Sequence, residues 1–451
     1  MRMTAMAVLA GSMLCSAPAE GWQAGVARVD ITPEEPMWLA GYASRDHAAE
    51  GTLHPLWLKA LALQDAEGRR AVLVTSDLLG FPKPASDRIR NRLKEGLQLD
   101  RAQIILSASH THSGPVLDAS LLCIYPMDAA ELDKVKRYTA RLEEQTVAAV
   151  EQAFAALEPV QLASANGVTR FAVNRRNNQE AKILETYDLN GPVDHAVPVI
   201  RVTGEAGSLK ALVFGYACHG TTLSGYEWCG DYAGFAQIAL EEAHPGATAM
   251  FFAGCGGNQN PLPRRSVALA KQYGEELAAS VQRVLAEPLE PLDAALACAY
   301  RETELMLNDP PTREELVAMT KKGSDYMRRA AEEMIAILDA GRALRTSYPY
   351  PVAMWRLGKQ TVVVMGGEVV VDYAIFAKQM LGHDTFVMGY ANDVMSYIPS
   401  EVVLEEGGYE GDTSQFIYGM PAKWKTGIEA QVLGVIRDLA AQVGVPAQAK
   451  P

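Results

Sequence analysis

Ile104-Ile105-Leu106-Ser107-Ala108-Ser109-His110-Thr111-His112-Ser113-Gly114-Pro115 is the stretch on which the reading of this chain turns. Its apolar, β-branched start reads as a buried strand, and Gly114-Pro115 turns the chain away at the other end. Histidines two apart leave an extended backbone on the same face. Imidazoles held that way can share a divalent metal, or one can bind it while the other handles protons. The plain alternative is a pair of polar residues capping a strand.

Working outward, further apolar runs end in polar or glycine-rich loops. Residues 71–75 lead to Asp77, 211–214 to His219, 249–252 to the glycines at 254, 256 and 257, and 361–364 to Gly366-Gly367-Glu368. Helical periodicity lies between them at 85–97, 129–157, 235–244, 266–287, 312–343 and 369–381. Strands alternating with helices indicate an α/β protein. Ligands of such sheets gather beyond the strand ends, where these polar residues fall.

The chain has 451 residues, 49% hydrophobic and 21% charged, with a net charge of −13 and no long basic run. That balance suits a globular protein with a sizeable core and sets nucleic acid aside as a partner. Residues 1–19 read as a signal peptide: Arg2 starts it, an apolar stretch follows, and Ala17-Pro18-Ala19 offers a cleavage site. A buried N-terminal helix is the competing reading. The expectation is therefore a secreted or periplasmic protein, with no later segment apolar for the roughly 20 residues a membrane span needs. Residues 20–446 are expected to form one large domain, with 312–345 a helical hairpin or lid and 447–451 a disordered tail. Outside the signal, five cysteines are too few and too scattered for a disulfide framework. Whether Cys218 and Cys229 pair is open at this level.

Gly25-Val26-Ala27-Arg28-Val29-Asp30-Ile31-Thr32-Pro33, Leu39-Ala40-Gly41-Tyr42, Ser109 to Pro115, Asn174-Arg175, Cys218-His219-Gly220, Gly366-Gly367-Glu368 and the block from Tyr397 to Tyr409-Glu410-Gly411 occur in this order. Together they resemble the catalytic region of the neutral/alkaline, non-lysosomal ceramidases. The likeness covers about residues 22–430. It implies a mixed β-sheet core flanked by helices, with a metal site at the strand ends. It also implies a zinc-dependent amidase with one Zn²⁺ per chain, held by His110, His219, Glu368 and Tyr397. By the same resemblance, His112 and Tyr409 stand beside the metal and Arg175 contacts substrate.

Two imidazoles and a carboxylate suit zinc and leave a position for water or substrate. His112 then carries a proton, while Tyr409 and Arg175 stabilise a developing oxyanion. Asp77 or Asp231 is a candidate for orienting a ligand histidine. The resemblance breaks at Gly254-Cys255-Gly256-Gly257-Asn258-Gln259-Asn260-Pro261, where ceramidases carry a serine in a Gly-Asp-x-Ser-Pro-Asn loop. No serine stands here, Cys255 falls at the aspartate's place, and Asn258 and Gln259 become candidate substrate contacts. Nor does the sequence include the immunoglobulin-like domain that follows the catalytic region in full-length ceramidases. The leading expectation is a secreted hydrolase cleaving an amide, or less readily an ester, through zinc-bound water. Its substrate is a polar N-acyl or glycan-type compound rather than ceramide, with other small-molecule or lipid-like substrates open. The alternatives are a metal-dependent lyase on uronate-containing glycans and a metal-dependent binding protein that has lost the nucleophile. A barrel amidohydrolase, which also places His-x-His after a strand, is the remote one.

Overall fold

A computed structural model describes residues 21–448. The expected signal segment at 1–19 lies outside them. The first sheet has nine strands, and its main path runs Thr248–Ala253, Leu209–Tyr216, Ala196–Thr203, Glu158–Val168, Trp22–Asp30, Trp57–Gln64, Arg70–Ser76, Ile104–Ala108. The two outer pairs are parallel and the inner pairings antiparallel, so the sheet is mixed as expected and is not a parallel barrel.

Period-two alternation decides what each strand covers. Leu58, Ala60 and Ala62 join Val72 and Val74 in one core beneath the helices Lys83–Leu97 and Ala129–Ala155. Their alternates Leu61, Leu63, Ala71 and Leu73 face a second sheet across another core. That second sheet is Leu296–Met306, Ser347–Leu357, Gln360–Met365 and Phe386–Met388. Its far side is covered by Asp372–Leu381 and Ile428–Gln442. Two sheets face to face, with helices outside both, make four layers.

The two parallel edges of the first sheet are brought together by residues 389–392. Gly389 N–H donates to Ala253 O at 3.0 Å, and Asn392 N–H to Leu106 O at 2.6 Å. The Asn392 side-chain oxygen accepts from Leu106 N–H at 2.9 Å. The carboxyl ends of strands Ile104–Ala108, Leu209–Tyr216, Thr248–Ala253 and Gln360–Met365 therefore meet at one place. Such a convergence is where open α/β sheets bind ligands.

Residues 312–343, read as helical, are two helices, Arg313–Lys322 and Asp325–Asp339, broken at Gly323-Ser324. Arg313 Nε meets Asp339 Oδ1 at 2.7 Å, which ties the two ends together as a hairpin. It is docked by Arg329, which donates to the Cys123 and Ile124 carbonyls at 2.6 and 3.1 Å. The tail expected to be disordered is anchored at its start, where Gln448 N–H donates to Met380 O at 2.9 Å. Cys218 and Cys229 are buried free thiols and do not pair.

One buried carboxyl in the closing segment makes stability pH-dependent. Burial pushes Asp393 up to about 7, and the only acid-base partner it hydrogen-bonds is the Tyr348 phenol at 2.7 Å. An unfolded aspartate titrates near 4. A folded pKa raised above the unfolded one favours the native state fully below about pH 4, and that advantage is lost as pH rises through about 7. Asp393→Asn is expected to remove this fall of roughly 4 kcal/mol. Urea midpoints at pH 5 and pH 8 check it: the variant should gain on wild type at the higher pH.

Candidate metal centre

His110 follows its strand in a left-handed conformation, φ 57°, a strained geometry that functional sites commonly carry. The segment Thr111–His112 then pairs with Gly220. Thr111 bridges Gly220 in parallel, and His112 N–H donates to Gly220 O at 3.0 Å. Only glycine fits at 220, because a Cβ there would lie 2.8 Å from His110 O. This pairing fixes His219 against His110, their ring centroids 4.8 Å apart. Glu368 is not at a helix start. It opens the two-residue strand Glu368–Val369, paired in parallel with Tyr397–Ile398 so that Glu368 lies opposite Tyr397.

The ligand atoms of His110, His112 and His219 lie within 4.8 Å of one another. Glu368 Oε2 is 3.1 Å from His110 Nε2 and 3.0 Å from His219 Nε2, yet it completes no hydrogen bond while buried. His110 Nδ1–H donates to Leu79 O and His219 Nδ1–H to Gly256 O, each at 2.7 Å. Those bonds fix the tautomers, so both Nε2 lone pairs face the carboxylate. Lone pairs of two imidazoles and a carboxylate oxygen repel unless a cation lies among them, and N,N,O donors suit zinc. The residues fit a divalent metal. Burial, with Arg175 nearby, lowers His219 to about 4. A neutral His219 imidazole, its Nε2 lone pair free, is the protonation state a metal needs.

His112 Nε2 lies 3.3 Å from His110 Nε2, but its Nδ1 is buried without a partner. With His110 Nε2 an acceptor, His112 carries its hydrogen on Nε2 and its Nδ1 is left free to take a proton, which suits a proton carrier better than a ligand. Gly41, at φ 98°, backs it, and a Cβ there would lie 2.3 Å from His112 Nδ1. Tyr397 OH stands 3.2 Å from His219 Nε2 and accepts from Arg175 at 3.1 Å. Arg175 also reaches Asn260 at 3.3 Å and Glu410 at 2.7 Å, and its guanidinium lies over the Tyr409 ring at 5.6 Å. The seven expected catalytic and metal residues thus share one site.

Asn258 and Gln259 do not face it. Asn258 Oδ1 accepts from Val371 N–H at 2.9 Å and Gln259 Nε2 donates to Ala217 O at 2.6 Å. Both side chains brace the loop from within, so they are corrected from substrate contacts to supports. Asp77 and Asp231 orient no ligand: Asp77 accepts from Trp57 N–H, and Asp231 from Leu223 and Tyr232 N–H. Backbone carbonyls do that work. Cys255 is fully buried and burial raises its thiol far above the ordinary range, which makes it a packing residue and not a nucleophile. The sequence reading missed Tyr418, whose hydroxyl donates to Glu368 Oε1, and Glu410, which holds Arg175. It also missed Tyr390, whose ring packs tilted against that of His110 at 4.2 Å.

The crystal structure of neutral ceramidase from Pseudomonas aeruginosa superposes with a TM-score of 0.72 at 21% identity, covering 96% of this chain and 76% of that one. A ceramidase complexed with C2 gives 0.71 at 19%, covering 96% and 77%. In sequence, the neutral ceramidase of P. aeruginosa is 27% identical over 224 residues, 48% of this chain and 33% of the relative. Neutral ceramidase A of Dictyostelium discoideum is 27% identical over 242 residues, 51% and 33%. The alignments thus span about a third of the curated relatives' length. The family model for the N-terminal region matches residues 22–260, more than half of the chain, and the protein belongs to the neutral/alkaline non-lysosomal ceramidase family.

Proposed function

We propose that this protein is an exported metal-dependent amidase hydrolysing the C–N bond of a polar N-acyl compound. One observation carries the reading: the orphaned Glu368 Oε2 among the fixed Nε2 atoms of His110 and His219. These three would hold the ion, zinc by the chemistry of the donors, with Tyr397 at its border. When bound, a divalent ion supplies Lewis acidity toward an amide carbonyl and lowers the pKa of water in the site. The remaining work falls to the protein's own groups. Arg175, kept protonated by Tyr397 and Glu410 against the effect of burial, and the Tyr397 hydroxyl offer donors to an oxyanion. The Tyr409 phenol, half exposed on the groove wall, is a further donor. His112, neutral because burial and the two other imidazoles lower it, takes a proton and returns it to the leaving amine. Tyr418 and the loop glycines hold Glu368 in place.

The substrate side favours a polar compound over ceramide. The space beside Arg175 and Tyr409 is walled by arginine, asparagine, glutamine and glutamate side chains, whereas a lipid pocket is predominantly apolar. Export rests on the reading of residues 1–19. Among the described residues no helix is long and apolar enough to cross a membrane.

The test is amine release by zinc-loaded protein from N-acyl sugars, N-acyl amino acids and ceramide. Tyr409→Phe should lower kcat by about 10²–10³-fold, the usual loss for one oxyanion donor, with zinc content unchanged. An unsaturated product from a uronate glycan, without amine release, would replace hydrolysis by elimination. Full zinc occupancy with no turnover on any of these would overturn the amidase.

A further inference from the structure

The groove beside the metal centre has a volume of about 520 Å³. Tyr409 is the sole large apolar surface among its walls. Its charges are unevenly matched. Glu410 serves two guanidiniums, Arg175 at 2.7 Å and Arg176 at 2.8 Å. Glu180 likewise serves Arg264 at 2.8 Å and faces Arg265 at 3.8 Å. Arg176 has two more partners, the outward Glu406 at 2.8 Å and the Gly407 carbonyl at 3.0 Å. Four guanidiniums thus meet three carboxylates within the groove and around its rim, in a chain whose overall charge is −13.

Arg265 is the least satisfied of the four. Its side chain is 42% exposed, and its nearest polar neighbour is the Tyr42 hydroxyl at 3.4 Å. Its backbone is held at φ 89°, with its N–H donating to Thr222 O at 2.7 Å. A non-glycine residue rarely adopts that conformation, and such strain concentrates where function demands a direction. The guanidinium lies over the Tyr42 ring at 5.5 Å, and the same ring lies 4.8 Å from that of His112. Arg265 therefore stands at the rim of the groove, one aromatic ring away from the metal centre.

We propose that the groove takes an anionic group of the substrate, with Arg265 and Arg264 as its charge-assisted donors. The inference rests on the amidase reading and narrows it to acyl amides that carry a carboxylate, sulfonate or phosphate near the scissile bond. A guanidinium fork matches the paired oxygens of those groups. Substrate oxygens compete for Arg265 with no strong protein partner.

The experiment uses zinc-loaded full-length protein and four amides of one acyl chain: N-acylglycine, N-acyltaurine, N-acylphosphoethanolamine and neutral N-acylethanolamine. One or more anionic amides should be preferred over the neutral one in kcat/KM by about 10- to 100-fold, the worth of a hydrogen bond to a charged group. Their ranking names the anion. Arg265→Gln should remove about tenfold of that preference through KM, leave turnover of the neutral amide unchanged, and be partly rescued by Arg265→Lys. Calorimetry of N-acylglycine binding to metal-free protein gives a readout independent of turnover, weakened by salt and by Arg265→Gln. Equal use of neutral and anionic amides, unaffected by Arg265→Gln, overturns the anionic groove and leaves the amidase standing. Cleavage of none, with Arg265-dependent binding retained, upholds the groove and overturns the amidase.

Discussion

Glu368→Gln is expected to bind zinc about 10²–10³-fold more weakly than wild type while remaining folded. A structural zinc site is worth about 10–16 kcal/mol, so one of three or four ligands carries roughly 3–4 kcal/mol. Glutamine keeps the shape and still accepts the Tyr418 hydroxyl that Glu368 Oε1 receives. Its amide nitrogen replaces the carboxylate oxygen that now lies 3.1 and 3.0 Å from two imidazole nitrogens. An N–H donor there satisfies lone pairs that the carboxylate repels. The metal-free variant should therefore unfold at the same or higher urea concentration than metal-free wild type, the opposite of what a merely structural carboxylate would give. Zinc competition against a chelator, beside urea curves of both metal-free proteins, reads the two effects separately. Unchanged zinc affinity would place the metal elsewhere.

Restoring the family's serine is expected to damage the protein. With Cys255 at the aspartate's place in Gly-Asp-x-Ser, Gly257 stands at the serine's. A Cβ on Gly257 would lie 2.6 Å from Glu368 O and 2.9 Å from the Val369 carbonyl carbon. Both are backbone atoms, and they belong to the strand that carries Glu368, the proposed metal carboxylate. Gly257 N–H also donates to Val369 O at 2.9 Å, so neither segment can back away cheaply. Gly257→Ser should cost about 2–3 kcal/mol, in the range of overpacked interiors, and weaken zinc binding by moving Glu368. No hydrolytic gain should accompany it. Thermal unfolding with and without zinc measures both losses. A stable, zinc-replete and more active Gly257→Ser protein would show that the loop has room for the nucleophile and that its absence is incidental.

Much of the candidate site was legible because each proposed ligand follows a strand. His110, His219 and Glu368 stand just beyond apolar runs, and strand ends are where α/β sheets present chemistry. The misreadings have a common cause. Asn258, Gln259, Asp77 and Asp231 are polar side chains near the motifs, and a sequence cannot say whether a polar group meets a ligand or a backbone amide. The proposed ligand histidines are instead oriented by the Leu79 and Gly256 carbonyls, a group every residue possesses, so no residue type marks it. Tyr418 lies fifty residues from Glu368 in a stretch without periodic signal.

What the sequence by itself determined is local: apolar runs that become strands, histidines two apart on one face, glycines where backbones must touch. Backbone periodicity and steric exclusion act over a few residues, and so they can be read from a few residues. The tertiary structure decided which strand ends meet, through residues 389–392 joining the two parallel edges of the sheet. It also placed Gly41 behind His112, Arg265 over Tyr42 and four arginines against three glutamates. Those juxtapositions depend on packing between segments far apart in the chain, and on burial that turns a surface charge into a directed one.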